Sequence, residues 1–367
     1  MRKRFLLPLI GLFVLTSCQT ISKTEVHKKV IVTEASEVEV IEIKNDIASV
    51  YKDLYDSCVG IYVKDSTGEG SGSGVIYKYD EATQTYYVVT NSHVVKDMTT
   101  VKVFDGDSIY YSANVLGYDT LNDVAVITFT TDMLGENRSF KPINFFKEEY
   151  EDLVTVGQSA IVVGCPLGLS NYNHLSVGVV SLVQTNRIFT DATVNPGNSG
   201  GGLFNMAGRL IGLINSKTVW TTQTENGVTQ EMPVEGMGYA IPLNVLKKFI
   251  LDIESIEGAV TRNRFGMYVT MVNSLLGDEN YETYKEYLPE GEEAHAYVVV
   301  KSFIDGSKAK ECGVKEGDVI LKINDISVKT NNELSSVFDL VSPDEDVKLT
   351  IYRSSLQEVI EITVSWK

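Results

Sequence analysis

Residues Cys58 to Val95 read CVGIYVKDSTGEGSGSGVIYKYDEATQTYYVVTNSHVV. Short runs of β-branched and aromatic residues alternate with stretches of Gly, Ser, Asp and Thr, the pattern of strands separated by turns. The piece GEGSGSG, Gly68 to Gly74, is expected to be a tight turn. A phosphate cradle would need a helix N-terminus directly behind it, and a strand follows instead. The pattern continues to Ala240 through TVKVFDGDSIYYSANVLGYD, DVAVITFT, SAIVVGCPLG, HLSVGVVSLV and GGGLFNMAGRLIGLINS. Strands at such close intervals with few helical stretches predict an all-β barrel or sandwich. A short amphipathic helix, IPLNVLKKFILDI, closes the segment.

The whole chain has 367 residues, 43% of them hydrophobic, enough for two or three globular domains. Its net charge of −17 argues against nucleic acid as a partner and against electrostatic attraction to anionic lipid. Any membrane association must come from elsewhere. Residues 1–18 offer one source: a basic MRKR, an apolar FLLPLIGLFVL too short to span a bilayer, then LTSC ending at Cys18. Leu, two small residues and Cys in that place resemble a bacterial lipobox, which implies an extracytoplasmic protein lipidated at Cys18. Residues 19–45, rich in Glu, Lys, Val and Ile without Gly or Pro, are expected to be a tether between the anchor and the first folded domain.

The other cysteines are Cys58, Cys165 and Cys312, and no C-x-x-C or H-E-x-x-H occurs, so no metal site is expected. All three are read as buried free thiols.

The stretch TDATVNPGNSGGGLF, Thr190 to Phe204, sets Ser199 inside a turn-rich run with three glycines behind it. A nucleophilic serine needs a base and an orienting acid. Of the four histidines, His27 lies in the tether, His295 in a later acidic segment and His174 in a loop without an obvious partner. His93 stands at the end of the apolar YYVVT strand, where it would be held rigidly. In GYDTLNDVAVI, Asp123 directly precedes an apolar run, where a carboxylate must find a donor such as an imidazole N–H. Asp119, four residues earlier, is read as solvated. The glycines suit a turn whose backbone amides converge on a developing oxyanion, with Gly197, Asn198 and Ser199 forming the hole and Gly200 and Gly201 letting substrate backbone approach.

VVTNSHVV, GYDTLNDVAVI and TDATVNPGNSGGGLF, in that order, resemble the catalytic blocks of the HtrA (Deg) family of trypsin-like serine proteases. The resemblance implies a mainly β architecture: a chymotrypsin-like double β-barrel over residues 46–258, with Ser199 as nucleophile, His93 as general base and acid, and Asp123 orienting the imidazole. It implies no cofactor, a homotrimer, and unfolded polypeptides as substrates. It also places Val194 in the S1 pocket and pairs substrate backbone with Leu213, Ile214 and Asn215. Residues 259–367 resemble a circularly permuted α+β PDZ domain. Its Arg264, Phe265, Gly266 and Met267 would receive a peptide's C-terminal carboxylate, with the peptide adding as a strand.

Three features depart from the family. The segment between Ser181 and Asp191 is short, and Arg187 is out of the family's register, which puts regulation through the PDZ domain in doubt. Residues 217–236 form a long loop, with Asn226-Gly227 suggesting a hairpin and Trp220 a cap on the cleft. Residues 274–295 are an acidic insertion. A binding lipoprotein that captures chains without cutting them is the alternative reading. The intact serine, histidine, aspartate and glycine loop weigh against it.

Overall fold

A computed structural model describes residues 27–32, 38–43, 46–131, 140–147, 154–215, 220–225, 228–233, 236–261, 265–274, 278–289, 296–338, 340–343 and 345–366. Cys18 and the rest of residues 1–26 lie outside the described residues. Within the expected tether, β1 (His27–Val32) and β2 (Val38–Ile43) pair antiparallel in a two-stranded sheet of their own. The alternation of that segment is used in this strand pairing.

The first barrel follows α1 (Ile47–Leu54), whose N-terminus is capped by the Asp46 carboxylate accepting from the Ala48 amide. It contains β3 (Cys58–Lys64), β4 (Glu69–Asp80), β5 (Thr85–Thr90), β6 (Thr100–Phe104), β7 (Tyr110–Asp119) and β8 (Val124–Thr130). The strand order β7-β6-β3-β4-β5-β8 closes through a β7–β8 pairing. A short helix, α2 (Ser92–Val95), leaves the end of β5. The turn expected at Gly68–Gly74 is instead the first half of β4, and the tight turn sits just before it, at Asp65–Gly68. Glycine is required inside the strand by close neighbours: a Cβ on Gly74 would lie 2.4 Å from Val88, and one on Gly72 2.7 Å from Val94.

The second barrel is β9 (Ser159–Gly164), β10 (His174–Val183), β11 (Ile188–Thr190), β12 (Gly202–Phe204), β13 (Leu210–Asn215) and β16 (Gly238–Pro242), in the closed order β10-β11-β16-β13-β12-β9. Between β13 and β16, the long loop carries β14 (Trp220–Glu225) and β15 (Val228–Pro233). Their register pairs Glu225 with Val228, leaving two residues between. Asn226, Gly227 and the Trp220 side chain lie outside the described residues.

The apolar runs that marked the strands have a specific cause. On β8, Val124 and Val126 enter a core shared by the two barrels, α1 and the long helix α3 (Leu243–Ile256), while Ala125, Ile127 and Phe129 fill the first barrel. On β9, Ile161 and Val163 face the shared core, and Ala160 and Val162 the second barrel. A strand with two buried faces reads as a continuous apolar run. The shared core fixes the barrels against each other, and the candidate site lies at their junction.

The boundary expected after residue 258 falls later. β17 (Ala259–Val260) pairs in parallel with β7, and the Tyr118 amide donates to Gly258 O, so the protease fold keeps the chain through Val260. The C-terminal domain is a sheet of order β18-β19-β20-β22-β23: β18 (Met267–Asn273), β19 (Ala296–Phe303), β20 (Val319–Ile323), β22 (Val347–Arg353) and β23 (Glu358–Val364). A short β21 (Ile326–Ser327) pairs with β20. The helices α5 (Lys308–Glu311) and α6 (Asn331–Phe338) pack on this sheet, with Leu334 and Val337 buried. Part of the acidic insertion has a structural role: α4 (Glu279–Tyr284) and the turn behind it lay Tyr281, Tyr284 and Leu288 over Val272, Tyr297 and Val299. The two domains meet where Lys248 of α3 pairs with Glu345 at 2.8 Å and Ser342 donates to Asp252 at 3.1 Å.

Candidate active site

His93 lies in α2 directly behind β5, Asp123 in the turn before β8, and Ser199 in the turn before β12. The structure brings the three together. The Ser199 Oγ lies 3.0 Å from His93 Nε2, and His93 Nδ1 lies 2.7 Å from Asp123 Oδ2. Asp123 Oδ1 accepts the His93 amide at 2.9 Å, and Oδ2 also accepts from Asn215 Nδ2 at 2.8 Å. An ionised carboxylate only accepts, so Nδ1 carries its proton. That tautomer leaves the Nε2 lone pair to receive the serine hydroxyl.

Asp123 is held in the left-handed region at φ 57°, a conformation that Asp tolerates better than most residues, and Asn91 Nδ2 anchors its carbonyl at 2.9 Å. Asp119 is not solvated as expected. It is fully buried and accepts from the Leu121 and Asn122 amides and from Asn122 Nδ2, shaping the turn that presents Asp123.

The serine turn is clamped from both barrels. Ser73 of β4 donates its amide to Ser199 O at 2.8 Å and its hydroxyl to Gly197 O at 2.7 Å, while its Oγ accepts the Cys165 amide. From the other side, the Gly200 amide donates to Ile214 O and the Ile214 amide to Gly201 O. The glycines serve this clamp. A Cβ on Gly200, at φ 84°, would lie 2.1 Å from Ser73 O, and one on Gly201 2.5 Å from Val163 O. The expectation that Gly200 and Gly201 make room for substrate is thus replaced: they make room for the scaffold.

The direction of the amides follows from the carbonyls. In a trans peptide the C=O and N–H point opposite ways. Pro196 O accepts from Leu167 N at 2.7 Å, and Asn198 O accepts from Gly201 N at 2.8 Å. The Gly197 and Ser199 amides therefore face away from those partners, and both residues line the cavity beside the serine. The Asn198 amide is spent on Asn195 O at 3.0 Å, which removes it from the expected oxyanion set.

Two other expected contacts change. Leu213 is paired on both edges, with Gly202 and with Ile241, and Ile214 has its N–H and C=O taken by the serine turn. Neither can add a substrate strand. Asn215, at the end of β13, instead holds Asp123. Val194 is half-buried against the second-barrel core, its Cγ2 beside Gly238. Arg187 stacks over Tyr239, 5.3 Å from the ring centre.

Sequence reasoning missed Ser73, Thr90 and Asn91, and gave Asn215 another role. Thr90 Oγ1 donates to Ser73 O at 2.8 Å. Thr90 and Asn91 had a faint signal, polar residues closing an apolar strand just ahead of His93.

In the C-terminal domain Phe265 is buried on Phe338 and Trp366, with ring centres 4.2 and 5.1 Å away. Its carbonyl accepts from Ala309 N and Ser307 Oγ, and Gly266 O accepts from Ile304 N. The Gly266 and Met267 amides thus face the opposite way, at the start of β18, an edge strand with α6 alongside. Arg264 lies outside the described residues.

Burial pushes the Cys58 and Cys165 thiols up, whereas Cys312 is only half-buried, unlike the expectation for all three. Among the described residues no group of His, Cys, Asp or Glu could hold a metal ion, and no helix is long and apolar enough to cross a membrane.

Known proteins match this arrangement. The trypsin-like peptidase domain family matches residues 72–213 and the PDZ domain family residues 299–353. A Lactococcus lactis serine protease Do-like HtrA is 30% identical over 364 residues, covering 89% of this chain and 84% of the relative. A Bacillus subtilis serine protease Do-like HtrA is 32% identical, over 74% of this chain and 58% of the relative. Among solved structures, a serine endoprotease from Yersinia pestis superposes with a TM-score of 0.59 at 22% identity, covering 88% of this chain and 98% of that one. The HtrA-type protease AlgW with a tripeptide reaches 0.61 at 23% identity, covering 87% and 96%.

Proposed function

This chain belongs to the HtrA family of trypsin-like serine proteases, and on that premise we propose that Ser199, His93 and Asp123 carry its peptide-bond cleavage. The observation that bears the reading is the continuous relay from Ser199 Oγ through both ring nitrogens of His93 to a carboxylate that is only 6% exposed. His93 Nε2 takes the hydroxyl proton as Oγ attacks the scissile carbonyl, and Asp123 stabilises the imidazolium. The Gly197 and Ser199 amides receive the oxyanion. His93 then protonates the leaving amine, and water attacks the acyl-enzyme by the same route in reverse. Losing one such oxyanion donor costs ~3 kcal/mol of transition-state stabilisation, so the clamp on the serine turn matters as much as the hydroxyl.

The substrates in this reading are unfolded or damaged proteins outside the cytoplasm, because only an extended chain can lie along the edge strands that flank the serine. Substrate backbone meets the second barrel at Asn215, and Val194 beside Gly238 favours a small or medium aliphatic side chain before the cleaved bond. The C-terminal domain, over residues 261–367, takes C-terminal peptides beside β18, with Gly266 and Met267 facing the carboxylate. Cys18 carries a lipid that holds the protein at the membrane, and the protease domains form a trimer.

Cleavage of unfolded β-casein by the form lacking residues 1–18, beside its Ser199→Ala variant, tests the core of this reading. Cutting by the first alone supports it. Cutting by both, or by neither in the presence of C-terminal peptides, sinks it.

A further inference from the structure

A cavity of about 580 Å³ opens directly beside Ser199 and His93. Its walls are Val63, Val94, Met98 and Pro196, and at its far end stands the turn between β3 and β4, with Asp65 and Glu69. Among the described residues no lysine or arginine lines it. Neither Val194 nor Asn215, on the second-barrel side of the serine, belongs to it. The cavity therefore lies on the side of His93 and the first barrel, the side toward which His93 delivers a proton to the departing amine.

Among the described residues the edge of β4 in this cavity is open. Glu69 to Gly74 pair with β3 on one side, whereas pairing with β5 begins only at Val75. The main-chain bond described on the open side is Ser73 N to Ser199 O, so the edge starts at the nucleophile and runs outward past Ser71 and Gly70 to Glu69. At about 3.3 Å per residue, that edge spans about 13 Å.

The turn at its end is rigid and carries an uncompensated charge. The Asp65 amide donates to Gly68 O, and Asp65 Oδ1 accepts from Thr67 N, Thr67 Oγ1 and Gly68 N, at 2.7, 2.7 and 2.9 Å. These bonds, the Thr67 hydroxyl foremost, hold the Asp65 carboxyl below the usual carboxylate range. Glu69 is offset by Lys64 at 2.9 Å. Asp65 forms no ion pair among the described residues, and its Oδ2 takes none of the three turn bonds.

We propose that this cavity binds the leaving-group half of the substrate and selects its sequence: an apolar residue directly after the cleaved bond, against Val94 and Met98, and a lysine or arginine at the second or third position, held by Asp65. The open edge gives the strand its track, and the length of a basic side chain covers the remaining distance to the turn. This deepens the proposed function and rests on Ser199 and His93 being the reacting pair.

The test uses three internally quenched peptides that share the acyl half and an apolar residue after the bond. They differ in carrying Lys, Gln or Glu at both following positions. For the form lacking residues 1–18, kcat/KM is expected to be about 5- to 10-fold higher for Lys than for Glu, as for one partly exposed charge pair counted as attraction and as repulsion. In Asp65→Asn, whose Oδ1 still accepts the turn bonds, the ratio falls to about 2, while the urea-melt midpoint stays that of the parent, which shows the fold intact. Equal cutting of all three by the parent, or an unchanged ratio in Asp65→Asn, overturns the inference and leaves the protease reading standing. Failure to cut any peptide or casein brings down that reading and the inference with it.

Discussion

The turn at Gly197–Gly201 and the turn at Phe265–Met267 solve the same problem with different stiffness. Each ties its carbonyls to the scaffold so that two amides face away from it. In each, a glycine at positive φ is fitted against backbone: Gly200 at Ser73 O, and Gly266 at Ser307 Cα, 2.9 Å from where a Cβ would stand. The serine turn is held from two barrels, by Ser73 on one side and Ile214 on the other. The carbonyls of the second turn are tied to the loop and helix behind β19, and among the described residues its outer flank is an unpaired edge. A developing oxyanion is stabilised most by donors that need no reorganisation. A ground-state carboxylate can be met by a turn that adjusts.

The comparison breaks most sharply at Asp123. Asp123→Asn keeps the shape but turns His93 to the wrong tautomer, and kcat on a quenched peptide should fall about 10⁴-fold. Gly200→Ala drives a Cβ into Ser73 O at a left-handed backbone position, so kcat should drop about 10²- to 10³-fold, the scale of a lost oxyanion donor. The matching change in the softer turn, Gly266→Ala, should weaken C-terminal peptide binding about 10-fold by fluorescence anisotropy, with casein cleavage without peptide unchanged. Lys248→Ala removes a half-exposed ion pair between the domains and should lower stability by less than about 1 kcal/mol in urea melts. Alkylation at pH 8 sharpens the picture of the clamp's underside. Cys312 should react first, and Cys58 and Cys165 only after unfolding, because burial raises their thiols and so removes thiolate at that pH.

The succession of strands along the chain, and the residues His93, Asp123 and Ser199 that the fold brings together, could be read from the sequence, because continuous apolar runs bounded by polar turns are local signals. What holds those residues could not. Ser73 meets Gly197 across 124 positions and Asn215 meets Asp123 across 92, and no periodicity records such a pairing. The same blindness explains the misread roles. Leu213 and Ile214 resemble a free edge until β12, β16 and the serine turn are seen to occupy both sides. The glycines of β4 read as a turn because the side chains that demand them, Val88 and Val94, approach from elsewhere in the barrel. Asp119 read as solvated because its burial depends on the fold around its turn.

With Ser199 as nucleophile and its turn held from both barrels, the serine stands ready when no peptide occupies the C-terminal domain. Titration of the form lacking residues 1–18 with a fluorescent fluorophosphonate, in the absence of any peptide, tests it directly. One label per chain, absent from Ser199→Ala, is the result predicted. Labelling that requires a C-terminal peptide, or that persists in Ser199→Ala, would contradict it.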